Sequence, residues 1–312
     1  MRCRLVWLVR QRLKAKGTVM KRETEWIPPA VAHSASDPRQ PGFCQFSRLA
    51  VALWVAGWMI VFCVPLRQVN GQDTALDSVA AMVAEIEKAY GIEIVHRNPT
   101  FPVRTSHGNI HGVAASDDAV ENYAKLFATE FSLYPPELVR KTGLKRVVFC
   151  AELHFADQRR TAIPDFEHSS LYLDIERAAG DTVYVLKVLH HEYYHMIDYA
   201  DDLSVYEDRE WAALNAADFR YGTGGRSVQD QSDTSVLTDR YPGFLNHYST
   251  TGVEEDKAEL FANLMVDPAH VHRRMESDPV LTNKVRRLKL TLEQYCDRVD
   301  EKFWERVTAK RN

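Results

Sequence analysis

The feature that most constrains this chain is the segment His190–Asp198, which contains the sequence His191-Glu-Tyr-Tyr-His195. On an α-helix, residues four positions apart lie on one face, so both imidazoles can reach a single metal ion. Glu192 directly follows the first histidine and is placed to act as general base toward a metal-bound water. Many helices carry two histidines and a glutamate by chance. The pattern therefore predicts a metal site only if the chain also supplies a third ligand.

Length and charge set broad limits on the fold and the partners. The 312 residues provide for one or two domains, and 45% hydrophobic content is ordinary for a globular protein. The formal net charge is −4, without the basic excess typical of nucleic-acid binding. We therefore expect no nucleic-acid partner.

The N-terminal part is dominated by the uncharged apolar run Leu49–Leu66, which lies between Arg48 and Arg67. Its length is borderline for a membrane-spanning helix and long for the apolar part of a signal peptide. We interpret residues 48–71 as a signal peptide cleaved near Gly71 or as a membrane anchor; a buried core helix is a third alternative. Either leading interpretation places the rest of the chain outside the cytoplasm, as a secreted, periplasmic or membrane-anchored domain.

Residues 1–47 combine basic residues with several prolines and have no sustained apolar periodicity. This composition predicts a disordered tail or a mis-assigned start codon, and we expect no folded structure there.

Two cysteines, Cys150 and Cys296, follow the apolar run. In an oxidising compartment they could form a disulfide, but two unrelated buried thiols are an equally good interpretation. The absence of any CxxC pair excludes a zinc ribbon.

The pattern after the apolar run predicts an α+β fold in which a twisted sheet packs on helices. The expected helices and strands are helix Ala75–Tyr90, strand Ile92–His96, loop Asn98–Asn109, helix Asp117–Leu133, strand Leu144–Ala151, strand Ser169–Ile175 and the metal helix from Thr182. We expect Leu171–Ile175 to form the edge of a cleft that holds an extended peptide by strand addition. An interior strand is the alternative.

We assign residues 72–312 to one catalytic domain with three parts. An α/β part covers 72–200, and a polar loop with a short helix at Glu207–Ala217 covers 201–246 and is expected to rim the cleft. A helical part covers 247–312. Its last predicted helix runs from Leu281 to Val307 and is expected to be exposed to solvent.

The helix that begins near Glu254 can supply the missing ligand. Glu255 and Glu259 are four residues apart and share one face, so one can bind the metal while the other hydrogen-bonds a ligand histidine. Glu254 is the rival third ligand, and an acidic, solvated helix start is the simplest alternative. Asp198 is a further rival for the third ligand, although it is better placed to orient a histidine or to cap its helix.

His190 points about 100° away from His191 on a helix and is not expected to bind the metal.

These motifs bear a resemblance to a known family. The segment Glu255-x-x-Ala-Glu259, followed by Leu-Phe-Ala and placed downstream of His-Glu-x-x-His, resembles the gluzincin zinc metallopeptidases. The pattern is similar to that of the anthrax lethal factor catalytic domain and of bacterial zinc-binding metallopeptidases. The similarity covers residues 185–265 and includes Asp198, three residues after the second histidine, and the segment Trp211–Gly225. The longer distance from His195 to the glutamate is a departure from lethal factor.

The resemblance implies a zincin-like fold and a Zn²⁺-dependent endopeptidase acting on a protein or peptide. It implies His191, His195 and Glu255 as ligands and Glu192 as the base. It also implies that Tyr248, seven residues before Glu255, donates to the oxyanion, with an ordinary core tyrosine as the alternative. The rival hypotheses are a non-catalytic zinc-binding or extracytoplasmic interaction module with a degenerate site, and an accidental motif. The sequence indicates neither the substrate nor the oligomeric state.

Overall fold

The computed structural model describes residues 71–156, 158–177, 179–228 and 233–311. The predictions for residues 1–47 and for the apolar run Leu49–Leu66 lie outside the described residues. Within these ranges, no helix is both long enough and apolar enough to cross a membrane.

The protein contains helices on one side of a mixed sheet. The helices are α1 (Gly71–Tyr90), α2 (Asp117–Phe131), α3 (Pro136–Thr142), α4 (Thr182–Asp202), α5 (Arg209–Ala212), α6 (Val253–Val266), α7 (Pro268–Met275), α8 (Pro279–Tyr295) and α9 (Glu301–Arg311). The strands are β1 (Glu93–Val95), β2 (Val103–Thr105), β3 (Gly108–Val113), β4 (Arg146–Phe155), β5 (Gln158–Arg159), β6 (Ala162–Asp165) and β7 (Ser170–Asp174). Short 3₁₀ turns cover Gly225–Val228 and Tyr248–Thr250.

Strand β4 is the centre of the sheet, whose order is β2-β3-β4-β7-β6. It runs parallel to β7, with Val147 opposite Leu171, and antiparallel to β3 at its other end. Strands β1 and β5 also pair with β4. Because parallel and antiparallel pairs occur in one sheet with helices packed on it, the predicted α+β class is confirmed.

The expectation that Leu171–Ile175 forms the cleft edge is wrong. Strand β7 lies between β4 and β6, and all five of its residues are buried. The terminal strand of this path is β6, which contains Pro164. Proline removes one backbone donor, and an edge strand tolerates that loss where an interior strand does not.

The two faces of the sheet belong to different apolar clusters. On the helical face, Phe149 packs against Phe127 and Tyr123 with ring centroids 5.3 and 5.1 Å apart. Side chains alternate along a strand, so neighbouring Cys150 belongs to the cluster on the opposite face, whereas Cys296 belongs to the helical cluster. Both thiols are buried and free, so the disulfide alternative is wrong.

Three local predictions also differ from the structure. The expected loop at residues 98–109 contains the β2–β3 hairpin, and the helix predicted to reach Leu133 ends at Phe131 before the unpredicted α3. The single helix expected from Leu281 to Val307 is interrupted after Tyr295, where Cys296 adopts an extended conformation. This break lets α9 turn back, so that Trp304 is buried and its ring contacts Phe261 of α6.

Helix α4 forms as predicted and carries the His-Glu-x-x-His segment in its middle. Asp181 caps its N-terminus by accepting a 3.0 Å hydrogen bond from the Tyr184 backbone N–H. Leu203, with φ of 63°, ends it in the left-handed conformation. Helix α6 packs along α4, so residues near 191 and 255 meet at the interface of the two helices.

Candidate metal centre

The two predicted histidine ligands lie on consecutive turns of α4, and their Nε2 atoms are 3.1 Å apart. Their rings are nearly perpendicular, with an interplanar angle of 79° and centroids 4.8 Å apart. Both side chains are buried, His191 at 4% exposure and His195 at 0%. The helix thus directs both nitrogen atoms to one point.

Glu255 on α6 brings a carboxylate to the same point. Its Oε2 atom is 3.1 Å from His191 Nε2 and 3.6 Å from His195 Nε2. One ligand atom from each of the three residues lies within 4.8 Å of the others, the arrangement expected for a metal ion. Glu254, the rival ligand, is not in this group.

The chemistry of this donor set fits Zn²⁺. Two imidazole nitrogens and one carboxylate oxygen are a known set for catalytic zinc, which keeps a fourth position for water or substrate. Burial alone would raise the pKa of Glu255, but hydrogen bonds from His191 and His195 outweigh it and lower that pKa to about 2. The carboxylate is therefore ionised and available as a ligand at neutral pH.

Glu192 lies beside this group and faces a cavity of about 230 Å³. Its side chain is 2% exposed, and its Oε2 atom has no hydrogen-bond partner among the described residues. Burial raises the pKa of Glu192 well above its ordinary value, and the charge of Glu255 adds to the effect. A cation at the ligand cluster would oppose this shift. The carboxyl group is thus in the place, and in the environment, of a proton-transfer group.

The cavity runs from the ligand cluster along one face of α4 toward the N-terminus of that helix. Tyr184, Lys187, Val188 and His191 form one wall because they recur at helical spacing. Thr161, just before β6, Ser235, from the long loop, and Glu259 of α6 also line the cavity. Residues of the predicted rim loop therefore reach the site.

Glu259, predicted to support a ligand histidine, lies behind the ring of His191. Its Oε1 atom is 2.9 Å from Nδ1 of His191, the ring nitrogen that faces away from the ligand cluster. The other oxygen accepts a 2.6 Å hydrogen bond from the side-chain amide of Asn246. Sequence reasoning missed Asn246, which is fully buried.

Tyr248 is completely buried, and its hydroxyl donates a 2.7 Å hydrogen bond to Glu255 Oε1. It is not among the residues that line the cavity. The backbone of Gly225 packs on it so closely that a Cβ atom there would clash with the hydroxyl. In this arrangement Tyr248 orients the third ligand.

Asp198 pairs with Lys257 of α6, with Oδ1 and Oδ2 at 2.8 and 2.7 Å from the ammonium nitrogen. Burial raises the pKa of Asp198 to about 6, although Lys257 opposes the shift. The pair connects α4 to α6 one turn beyond His195. It thus supports the crossing of the two helices that carry the ligands.

The long loop is tied to α6 at the residue after Glu255. Asp256 is buried and accepts hydrogen bonds from Trp211 Nε1 at 2.7 Å and from the Tyr221 hydroxyl at 2.6 Å. Lys284 of α8 completes its partners at 2.7 Å. Only Arg209–Ala212 of the predicted Glu207–Ala217 helix forms. The loop is anchored by side chains whose roles no periodic pattern in the sequence reveals.

Comparison with known proteins gives one similar structure. No protein-family model and no curated protein matches the chain significantly. A solved structure from Bacteroides caccae, described as "a putative zinc-binding metallo-peptidase", is 16% identical. The alignment covers 77% of this chain and 93% of that chain, with a TM-score of 0.49.

Proposed function

We propose that this protein is a zinc-dependent metallopeptidase of the gluzincin type that cleaves internal peptide bonds. The observation that carries the proposal is the convergence of His191, His195 and Glu255 beside Glu192, whose Oε2 atom has no hydrogen-bond partner among the described residues. A cavity opens at Glu192, so a peptide group can approach the residue that would handle its protons. These features together meet the requirements for a hydrolytic zinc site.

In the proposed reaction, Zn²⁺ held by the three ligands would polarise the scissile carbonyl and lower the pKa of a water molecule. Glu192 Oε2 takes a proton from that water and later delivers it to the leaving amine nitrogen. Glu259 keeps His191 oriented, and the ionised Glu255 completes the donor set. The oxyanion role of Tyr248 stays a prediction, because the contact described above occupies its hydroxyl with Glu255.

The proposed substrate is a protein or peptide. A cavity of about 230 Å³ accommodates one large side chain next to the bond that is cleaved. Export or anchoring through residues 49–66, and hence an extracytoplasmic substrate, remains part of the proposal.

The decisive experiment replaces Glu192 with Gln, which keeps the size of the side chain and removes its basicity. We expect zinc content to stay at one ion per chain and kcat to fall by about 10²–10⁴-fold, the usual contribution of a general base. Glu137→Gln, at an exposed helix start, is the matched control and should cleave peptides like wild type. Equal turnover in Glu192→Gln would refute the mechanism.

The burial of the site favours a second candidate, a zinc-binding module without hydrolytic activity. His191, His195 and Glu255 are between 0 and 4% exposed, as in a closed structural metal site. This alternative predicts bound zinc and no cleavage of any member of a peptide library. Digestion with and without a chelator separates the two candidates, because only the peptidase shows chelator-sensitive products.

A further inference from the structure

The ring of His191 has different partners at its two nitrogen atoms. Nε2 faces His195 and Glu255 in the ligand cluster, whereas Nδ1 is 2.9 Å from Glu259 Oε1. The Nδ1 contact has the distance of an ion pair, although its angle departs from ideal hydrogen-bond geometry. A neutral imidazole that offers Nε2 to a metal carries its proton on Nδ1. The position of Glu259 therefore favours the Nδ1–H tautomer and the observed direction of the ring.

Glu259 is itself held from the segment that precedes α6. The Asn246 side-chain nitrogen donates to Glu259 Oε2 over 2.6 Å, and Asn246 is 0% exposed. The asparagine side chain is excluded from solvent, whereas the Glu259 side chain is 13% exposed and lines the cavity. Loss of the amide donor would leave the Glu259 carboxylate free to rotate away from His191.

Ser249 determines which way the Asn246 amide points. Its backbone N–H and its hydroxyl both donate to Asn246 Oδ1, at 2.9 and 2.8 Å. A backbone N–H can only donate, so the amide oxygen must face Ser249 and the NH₂ group must face Glu259. The orientation follows from the chemistry of the partners.

The segment carrying Asn246 is fixed in turn by the helices that follow α6. Gly243 donates its N–H to Asp278 at 2.6 Å, and its carbonyl accepts from Lys284 at 2.8 Å. The backbone therefore holds Asn246 in register with Glu259. Ser249, Asn246, Glu259 and His191 form one chain of contacts that ends at the ligand cluster.

We propose that Asn246 is a positioning residue of the metal centre, which acts through Glu259 to hold the His191 ring in its metal-binding orientation. The inference rests on the metal site of the proposed function and not on its hydrolytic chemistry. It assigns a role to the Gly243–Ser249 segment in addition to that of Tyr248. Asn246 touches neither the ligand atoms nor the cavity, so its effect on the metal is indirect.

Asn263 provides a matched control within the same protein. It is also fully buried and also donates to Glu259, but to its backbone carbonyl, over 2.8 Å. The Asn263 bond is part of helix α6 and leaves the Glu259 carboxylate untouched. Replacing either asparagine by Asp removes one amide donor at nearly constant volume, yet only Asn246→Asp places a second carboxylate against Glu259.

The experiment measures zinc affinity of the full chain by competition with a chelator, and the visible absorption spectrum after loading with Co²⁺. Asn246→Asp should weaken zinc binding by about 10–100-fold, as is typical when the partner of a ligand histidine is disturbed. Its cobalt spectrum should shift, because the geometry of the His191 ligand changes. Asn263→Asp should keep both the wild-type zinc affinity and the wild-type spectrum.

Two results would overturn the proposal: wild-type affinity and spectrum in a folded Asn246→Asp variant, or an equal loss of affinity in Asn263→Asp. If Asn246→Asp does not fold by circular dichroism, Ser249→Ala decides, since it removes one of the two donors that orient the amide. We expect about a threefold fall in zinc affinity there, and no change in affinity or spectrum would refute the inference. If the protein does not cleave peptides, only the proposed peptidase activity is refuted. The zinc affinities and cobalt spectra still test the role of Asn246.

Discussion

His190 and His191 are adjacent on α4 and equally hidden from solvent, yet they lie in different regions of the molecule. His191 faces α6, where carboxylates surround its ring and another histidine lies 3.1 Å away. His190 faces α2 and α3, where the Tyr134 hydroxyl lies 2.6 Å from Nδ1 and Glu130 lies 3.2 Å from Nε2. Arg311 of α9 pairs with the same Glu130.

The difference shows that partners, not burial, identify the metal side of the helix. Around His190, Nδ1 accepts from Tyr134, and Nε2–H donates to Glu130, so both nitrogens are satisfied by protein groups. Around His191, one nitrogen is held by a carboxylate and the other points at further ligand atoms. The first environment locks a histidine in the core, and the second prepares one for a metal.

Replacing each histidine in turn gives the largest expected effect. Changes to a residue that only supports a metal ligand lower zinc affinity by up to about 100-fold. His191→Ala removes a ligand itself, so zinc affinity should fall by more than that. His190→Phe should keep zinc affinity within about threefold of wild type but lower the free energy of unfolding by about 2–4 kcal/mol, since Glu130 and Tyr134 lose a buried partner. Chelator competition and urea unfolding measure the two quantities. Zinc loss in the His190 variant would contradict the distinction.

The acid stability of the His190 side is the next test. Burial alone would raise the pKa of Glu130, but hydrogen bonds from His190 and Arg311 outweigh it and lower that pKa from 4.5 to about 2. A lowered pKa stabilises the fold above pH 4.5, and this contribution is lost as the pH falls from 4.5 toward 2. The shift corresponds to at most about 3 kcal/mol, because solvent screens part of the interaction.

Glu130→Gln removes this titration. Its unfolding free energy should fall less steeply than that of wild type between pH 4.5 and 2, when both are measured by urea unfolding with chelator present. Glu121→Gln, at a partly exposed position of the same helix, serves as the control and should retain the wild-type slope. A Glu130→Gln slope equal to that of wild type would show that this group does not carry the effect.

The smallest expected effect concerns Tyr248 on the metal side. Tyr248→Phe removes the donor to Glu255 and should weaken zinc binding about 10-fold. Tyr90→Phe removes a buried tyrosine bond to the Phe131 carbonyl, away from the metal, and should leave zinc affinity unchanged. Isothermal titration calorimetry measures both. If Tyr248→Phe instead lowers kcat at constant zinc affinity, the hydroxyl acts on the substrate, as the sequence resemblance implied.

The sequence was most informative where function imposes a fixed spacing. His191 and His195 share a helix face by geometry, and the i, i+4 relation of Glu255 and Glu259 predicted that one carboxylate can bind the metal while the other hydrogen-bonds a ligand histidine. The sequence did not indicate Asn246 or Asp256, because the importance of each depends on a contact that is distant in sequence. Asn246 contacts Glu259, 13 residues away, and Asp256 contacts Trp211, 45 residues away. A single polar residue in a loop carries no periodic signal for such a contact.

The same reasoning explains where the fold prediction was wrong. Periodicity distinguishes a strand from a helix, but the place of β7 inside the sheet depends on pairing with β6, a strand of four residues that contains Pro164. The interruption after Tyr295 depends on α9 packing against α6, and the local sequence does not encode that contact. Element type was therefore readable in these segments, whereas neighbours and ends were set by tertiary packing.

The adjacency of Glu255 and Asp256 has a consequence for the order of events during folding. His191 and Glu255 are 64 residues apart in sequence, so the donor set exists only after a long chain segment has closed. Asp256 holds that segment through Trp211 and Tyr221, which makes docking of the segment and placement of the last ligand a single event. The rate of metal capture by a refolding chain should therefore report this closure, and a proteolytic cut between Tyr221 and Glu255 should slow capture without touching a ligand.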